Sequence, residues 1–522
     1  MEKILVGGEW RAAEATDSFR AIDPNTGEVL DREYPVSSRA DVDVALAAGL
    51  RASRQLRTVP REDVARFLER YADLIDERRD QISEAGNLET ALPVSPRLKD
   101  VELPRTSGQL RQAAAAARNR NWTLPTIDTA SNIRSMYGPL EGPVVVFGPN
   151  NFPLGFNGVA GGDFAAAIGA GNPVIAKAHS SHPWTSQLLA EAALEAVGEI
   201  GLPAATVQMI YRTSHPDGEY LVSHPSVAAT GYTGSRSAAL KLKAAADRAG
   251  KPIYLEMSSV NPLFILPGSL RERAEEVADE LAGSALLGTG QFCTNPGVVV
   301  LQAGEESEDF VEMIRERYES AAVGALLGVG GVQGLGESVK TLVSSGAELV
   351  LGGNEISGQG CRFQNTLLRV SGEAFVAAPE ALQTEAFGNS TLMVVAADEA
   401  EMVAIAGLIE GSLTGSIYSH NDGEDDGLYA GIADRLRTRV GRLLDDKMPT
   451  GVAVVPSMNH GGPYPATGHP GFTAVGIPAS LRRFAMLECY DNVREERLPA
   501  ELRDENSIDG LWRVIDGQWT QS

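Results

Sequence analysis

Gly142-Pro143-Val144-Val145-Val146-Phe147-Gly148-Pro149-Asn150-Asn151-Phe152-Pro153 holds a β-branched run between glycines, followed at once by turn residues. Three runs of the same kind follow: Pro173-Val174-Ile175-Ala176-Lys177, Val207-Gln208-Met209-Ile210-Tyr211 and Pro252-Ile253-Tyr254-Leu255-Glu256. Each is apolar on both faces, the pattern of a strand covered by helices on either side. Stretches rich in Ala, Leu and Glu, such as 185–197, lie between them. Strand, helix, strand in repetition predicts an α/β chain with a doubly wound parallel sheet.

Upstream, residues 61–87 carry Val64, Phe67, Leu68, Tyr71, Leu74 and Ile75 at spacings of three and four, which predicts one long amphipathic helix. Downstream, runs at 262–266, 297–301, 348–351, 392–395 and 451–455 read as the strands of a second α/β segment, with a helix near 308–322. Residues 457–478 are crowded with Gly, Pro and His and read as a long, shaped loop.

The 522 residues allow about three domains at roughly 150 residues each. Lys+Arg number 45 against 69 Asp+Glu, a net charge of −24 with no basic run, so neither nucleic acid nor an anionic membrane surface is an expected partner. The first ten residues lack the apolar core of a signal peptide, and no uncharged run reaches the ~20 residues of a membrane helix. Three cysteines, Cys293, Cys361 and Cys489, make a poor disulfide framework, and no Cys-x-x-Cys or paired-His spacing predicts a metal site. A cytoplasmic protein is expected.

Cys293 lies in Gly288-Thr289-Gly290-Gln291-Phe292-Cys293-Thr294-Asn295-Pro296-Gly297, between a helical stretch and a strand. Such a bend can aim backbone N–H groups at the thiol, lowering its pKa and binding an oxyanion; the bland reading, kept for Cys361 and Cys489, is a small buried hydrophobe. Glu256 ends a strand, where a carboxylate needs a partner, a ligand or a raised pKa; its alternative is capping of the next turn. Asn151 is ordinarily turn chemistry, yet its amide can donate to an oxyanion. Lys177 ends a strand within reach of a ribose or phosphate, or is simply solvated. Gly231-Tyr232-Thr233-Gly234-Ser235 reads as a Gly-rich turn opening the helix 238–249, a place for a pyrophosphate, although the strict dinucleotide fingerprint is absent. None of the seven histidines falls in a motif that ties it to the thiol, which weighs against a cysteine hydrolase.

Taken in order, Pro149-Asn150-Asn151-Phe152-Pro153, Lys177, Gly231 to Ser235, Glu256-Met257, Gly290-Gln291-Phe292-Cys293 and Glu385-Ala386-Phe387-Gly388 resemble the aldehyde dehydrogenase superfamily, over nearly the whole chain. Glu256-Met257-Ser258-Ser259, Gly161-Gly162-Asp163, Gly462-Pro463-Tyr464-Pro465-Ala466-Thr467 and Cys489-Tyr490-Asp491-Asn492 are most similar to its branch of α-ketoglutaric semialdehyde (2,5-dioxopentanoate) dehydrogenases and NADP-dependent fatty aldehyde dehydrogenases. Most of the superfamily has Glu-Leu-Gly-Gly where this chain has Glu-Met-Ser-Ser; the glutamate stays in place.

The resemblance implies a doubly wound Rossmann-type cofactor domain (1–124 and 142–257, with 456–489 returning near it), an α/β catalytic domain (258–455) and a small oligomerisation arm (125–141 and 490–513), hence a homodimer or homotetramer. It implies Cys293 as nucleophile, Glu256 as general base and Asn151 as oxyanion donor. Lys177, Ser180, Arg212, Gly231, Gly234, Ser235, Glu385 and Phe387 would hold the dinucleotide. NAD-preferring relatives commonly carry a glutamate where Ser180 stands, and Arg212 could pair with a 2′-phosphate, so NADP is expected, with NAD possible. Arg105, Phe156, Phe292 and Phe472 would line the substrate tunnel; an arginine there suits a carboxylated semialdehyde, the phenylalanines a fatty aldehyde. The dioxo acid is the expected substrate. Three alternatives remain: the fatty aldehyde enzyme, a CoA-acylating relative, which often lacks the glutamate, and a non-catalytic NAD(P)-binding protein.

Overall fold

The computed structural model describes residues 1–358 and 360–522. Its first sheet has seven strands in the order Ile253–Glu256, Ala229–Thr233, Val144–Phe147, Val174–Lys177, Val207–Ile210, Ile4–Val6, Glu9–Arg11. The first five are parallel, Ile4–Val6 runs antiparallel to them, and Glu9–Arg11 runs antiparallel to Ile4–Val6. Val144, Val145 and Val146 are all buried, because helices cover both faces. The chain steps from Val144–Phe147 outward to Val174–Lys177 and Val207–Ile210, then crosses back to Ala229–Thr233, so the strand order reverses beside Val144–Phe147. The carboxyl ends at such a reversal form the ligand crevice of doubly wound sheets.

A second seven-stranded sheet runs Glu348–Leu351, Thr366–Ser371, Ser390–Ala396, Val298–Gln302, Leu263–Ile265, Ser412–Tyr418, Val440–Asp445, parallel but for Glu348–Leu351. A third sheet joins Ala485–Asp491, Ile133–Pro139, Thr126–Asp128, Arg513–Ile515 and Gln518–Thr520. Among the described residues no helix is long and apolar enough to cross a membrane.

Three sequence expectations change. The helix expected over 61–87 is two, Arg61–Glu77 and Arg79–Thr90, broken at Arg78 with φ −100° and ψ 16°. Residues 451–455 form no strand: their carbonyls are taken by side chains of Arg105, Gln112 and Arg442 rather than by a neighbouring strand. Gly231 lies inside the strand Ala229–Thr233, not in the turn; a Cβ there would collide with the Asp163 carboxylate.

The segment after residue 456 returns to the first sheet as an irregular edge. Met257 N–H donates to the Ala466 carbonyl (2.8 Å) and Gly468 N–H to that of Leu255 (3.1 Å). Arg483 then pairs with buried Asp163 at 2.8 Å and lies over the rings of Phe472 and Phe484.

Candidate active site

Four of the expected residues stand at carboxyl ends of the first sheet: Asn151 after Val144–Phe147, Lys177 ending its strand, Arg212 after Val207–Ile210, and Glu256 ending Ile253–Glu256. The Asn151 segment is fixed by an ion pair that no sequence motif announced. Glu102, fully buried, accepts from the N–H groups of Leu154 (2.8 Å) and Gly155 (2.9 Å) and pairs with Arg97, whose Nη2 donates to the Asn151 carbonyl at 3.0 Å. Asn151 Nδ2 donates to the Gln291 carbonyl at 3.0 Å, two residues before Cys293, and keeps a second hydrogen for another acceptor.

Cys293 follows the helix Pro267–Leu286 and a tight turn in which Gly288, Thr289 and Gly290 have φ of +57°, +59° and +68°. Threonine in that region is strained, as is common where a loop is held for function. A Cβ on Gly290 would run into the Gly388 carbonyl, so this turn packs directly on the segment that carries Glu385. Asn261 Nδ2 donates to the carbonyls of Cys293 (2.9 Å) and Asn295 (2.8 Å), pinning the backbone around the thiol. Among the described residues the Cys293 N–H donates to no group of the chain, leaving it free for an oxyanion.

The sequence reading of the histidines is corrected here. His460 Nε2 lies 3.5 Å from Cys293 Sγ and 2.9 Å from Glu256 Oε1, and His460 and Glu256 are both buried. One ring nitrogen thus faces the thiol and the carboxylate together. The ring is carried in by the returning segment, whose Thr473 hydroxyl accepts the His460 N–H at 3.0 Å and whose Ala474 N–H donates to the His460 carbonyl at 2.8 Å. Gly461 and Gly462 let that backbone press on the carbonyls of Phe472 and Ser412. The only local signal was a histidine before two glycines in a shaped loop; the contact spans 167 residues.

Burial, and after it the Glu256 carboxylate, pushes the Cys293 thiol well above its ordinary value, while the charges of Arg105 and Arg442 pull it down. A thiol so placed needs a proton acceptor, and His460 is in contact with it.

Phe152, Phe156, Phe292 and Phe472 form one apolar cluster, with Val452, Val454 and Met458 packed on it. Phe152 and Phe292 meet edge to face at 5.3 Å. The Arg105 guanidinium carbon lies 5.0 Å from the Phe156 ring centroid. Ile477, which follows that cluster in the chain, packs against the large core of the first sheet.

Lys177 and Arg212 make a cationic pair: burial, and then the Arg212 charge, lower the Lys177 ammonium to about 8. Among the described residues neither has an ion-pair partner, and half-buried Ser180 adds a hydroxyl nearby in sequence. Gly234 N–H donates to the Glu256 carbonyl at 3.1 Å, and Ser235 stands at the N-cap position of the helix Arg236–Arg248 without a side-chain capping bond. Glu385 accepts from the Ser259 N–H at 3.1 Å, and burial pushes it up to about 7. It borders a cavity of about 260 Å³ shared with Arg236, Ser258, Glu410 and Pro465. Phe387 lines a small hollow with Glu385, Gly290 and Phe292.

The sequence profile of the aldehyde dehydrogenase family matches residues 10–432. The chain belongs to this family. It is 36% identical to alpha-ketoglutaric semialdehyde dehydrogenase 2 of Azospirillum brasilense, over 99% of both chains, and 32% identical to alpha-ketoglutaric semialdehyde dehydrogenase of Acinetobacter baylyi, over 100% of this chain and 99% of that one. Aldehyde dehydrogenase C of Pseudomonas syringae, solved with NAD+ and octanal, superposes with a TM-score of 0.80 at 21% identity, covering 94% of this chain and 96% of that one. Lactaldehyde dehydrogenase of Escherichia coli superposes at 0.79 and 22% identity, covering 94% and 98%. The α/β architecture, a Rossmann-type sheet beside a second parallel sheet, is therefore that of the aldehyde dehydrogenases, and the chain is an NAD(P)-dependent oxidoreductase acting on aldehydes. An unpaired ammonium and guanidinium at Lys177 and Arg212, and a half-neutral carboxyl at Glu385, fit the phosphate and ribose groups of such a cofactor.

Proposed function

We propose that this aldehyde dehydrogenase oxidises 2,5-dioxopentanoate to 2-oxoglutarate, with NADP preferred over NAD. The contacts of His460 with Cys293 and Glu256, and the tie of Asn151 to the loop that carries Cys293, support the chemistry. The names of the two relatives at 36% and 32% identity, and an arginine over the rings of Phe152 and Phe156, support the substrate.

His460 Nε2 takes the proton from Cys293 Sγ, and the adjacent Glu256 carboxylate stabilises the imidazolium that results. The thiolate adds to the aldehyde carbon, and the oxygen of the thiohemiacetal is held by the Asn151 amide and the Cys293 N–H. A nicotinamide held beside Glu385 and Phe387 would supply the hydride acceptor for this carbon, and Cys293 would then carry the acyl group as a thioester. Glu256 then deprotonates the water that hydrolyses it. Glu385 orients the nicotinamide ribose, beside Phe387. The pyrophosphate lies at the start of the helix Arg236–Arg248, beside Ser235, while Gly231 serves the packing of its strand on Asp163 and Gly234 ties the turn to the Glu256 carbonyl. Lys177, Ser180 and Arg212 receive the adenosine ribose and its 2′-phosphate, and among the described residues no carboxylate pairs with Lys177 or Arg212.

The strand Ala485–Asp491 ends its sheet with Met486 and Leu487 exposed, and we place the homodimer contact there, with 125–141 and 490–513 as the arm. Domains over 1–124 with 142–257, and over 258–455, follow from the same resemblance. NADPH formation from 2,5-dioxopentanoate, with and without CoA, by wild type and Cys293→Ala tests the proposal. CoA-independent turnover that Cys293→Ala abolishes supports it; turnover that requires CoA, or survives the substitution, refutes it.

A further inference from the structure

Two half-buried arginines whose charges are felt at the nucleophile lack the carboxylate partner that such groups normally have. Arg105 stands on the helix Leu103–Asn119, its guanidinium carbon 5.4 Å and 5.0 Å from the ring centroids of Phe152 and Phe156. Arg442 stands in the strand Val440–Asp445. They reach one strap of chain: Arg105 Nη1 donates to the Val452 carbonyl at 3.4 Å, and Arg442 Nη1 and Nη2 to the preceding Gly451 carbonyl at 3.4 Å. The strap is anchored next to the thiol, since Gly451 N–H donates to Thr294 Oγ1 at 3.2 Å.

These bonds are long and weak, and they leave most donors unused. Arg105 Nε and Nη2 and Arg442 Nε are buried with no acceptor, and among the described residues neither arginine has an ion pair. Glu102, whose charge reaches Arg105, is taken up by Arg97 and by the N–H groups of Leu154 and Gly155. Arg97 itself is spent on Glu102 and the Asn151 carbonyl. Burial holds Arg105 and Arg442 below the ordinary arginine value, and both charges are felt at the Cys293 thiol. Buried guanidinium nitrogens without an acceptor are costly, and a fold retains them where a ligand brings the missing anion.

We propose that Arg105 and Arg442 form a two-armed clamp across the 449–452 strap for the 2-oxo-carboxylate end of the substrate, with Arg442 a specificity-determining residue. The inference rests on the dioxo acid reading given above. A planar guanidinium pairs with a carboxylate through two parallel bonds, and the second arm serves the adjoining oxo group. A neutral aliphatic aldehyde of the same length leaves both charges unmatched in the same tunnel. Discrimination then comes from unpaired charge rather than from size.

The test compares kcat/KM for 2,5-dioxopentanoate with kcat/KM for pentanal in wild type, Arg442→Gln and Arg442→Lys, with 2-oxopentanoate as a dead-end competitor against pentanal. The ratio falls about 30-fold or more in Arg442→Gln, as expected for one lost partner of a buried charge pair. Arg442→Lys lies between, and inhibition by 2-oxopentanoate weakens in parallel. A wild-type ratio in folded Arg442→Gln overturns the clamp while leaving the dioxo acid as substrate. A wild type that prefers pentanal overturns the substrate reading itself. Should Arg442→Gln fail to fold, wild type decides: competition by 2-oxopentanoate supports the clamp, and its absence overturns it.

Discussion

Replacing His460 by Gln separates the two acid–base jobs of the site. In the intact protein one imidazole nitrogen lies 3.5 Å from the thiol and 2.9 Å from Glu256. A thiol with the ordinary value of 9.0 is about 1% ionised at pH 7, and burial together with Glu256 raises Cys293 well above that value. Attack therefore depends on a proton acceptor in contact with sulfur, a role that contributes roughly 10²–10⁴-fold where it has been removed from other enzymes. A glutamine keeps the volume and can still hydrogen-bond, but it cannot take the proton. The account predicts that the first-turnover burst of NADPH, and alkylation of Cys293 by iodoacetamide, both fall about 100-fold or more at pH 7. Both recover as pH rises, because hydroxide replaces the lost base. Stopped-flow absorbance and peptide mapping of the alkylated cysteine read these quantities. Glu256→Gln, by contrast, retains a burst and loses the steady state, because water attack on the thioester is what it disables. If His460→Gln shows a wild-type burst and alkylation rate at pH 7, the imidazole is not the acceptor and the mechanism is wrong at its first step.

Other consequences follow from the groups around the cofactor and the loops. Glu385, at about 7, must ionise to accept a ribose hydroxyl, so cofactor binding releases a proton and tightens as pH rises through about 7. Calorimetry in buffers of different ionisation enthalpy measures this release, and Glu385→Gln abolishes it. Lys177, at about 8, holds its charge only below that pH, so a 2′-phosphate is favoured at pH 7 and the advantage of 2′,5′-ADP over 5′-AMP shrinks above pH 8. Titration of the two fragments across that range checks the sign. Glu102→Ala leaves the Arg97 charge buried and frees the Leu154 and Gly155 amides; it destabilises the protein by about 3–5 kcal/mol, read as a drop in Cm with denaturant, and displaces Asn151.

Where short-range pattern determines structure, the sequence was informative. The strands Val144–Phe147, Val174–Lys177 and Ile253–Glu256 are β-branched runs bounded by Gly or Pro and buried on both faces, so their residues leave little choice. Cys293, Glu256 and Asn151 were legible because each sits at a strand end or bend with a motif around it. The strand Ser412–Tyr418 was missed: Ser412, Thr414, Gly415 and Ser416 are small and polar, yet they lie inside the second sheet. Residues 451–455 failed the other way. Their valines alternate as in a strand, but Val452 and Val454 pack on the phenylalanine cluster while side chains take their carbonyls. His460 and Arg442 were invisible for a common reason. His460 touches the thiol and the charge of Arg442 is felt there, each from a distant part of the chain, and nothing within a few residues of either records that arrival.

The central claim is that Cys293 carries the acyl group and Glu256 releases it. Mass spectrometry of peptides from Glu256→Gln, quenched in acid after mixing with NADP and 2,5-dioxopentanoate, tests it directly. The account predicts an acyl adduct on the peptide holding Cys293, absent without NADP and absent from the peptides of Cys361 and Cys489. An adduct on either of those cysteines, or turnover with no adduct on Cys293, contradicts it.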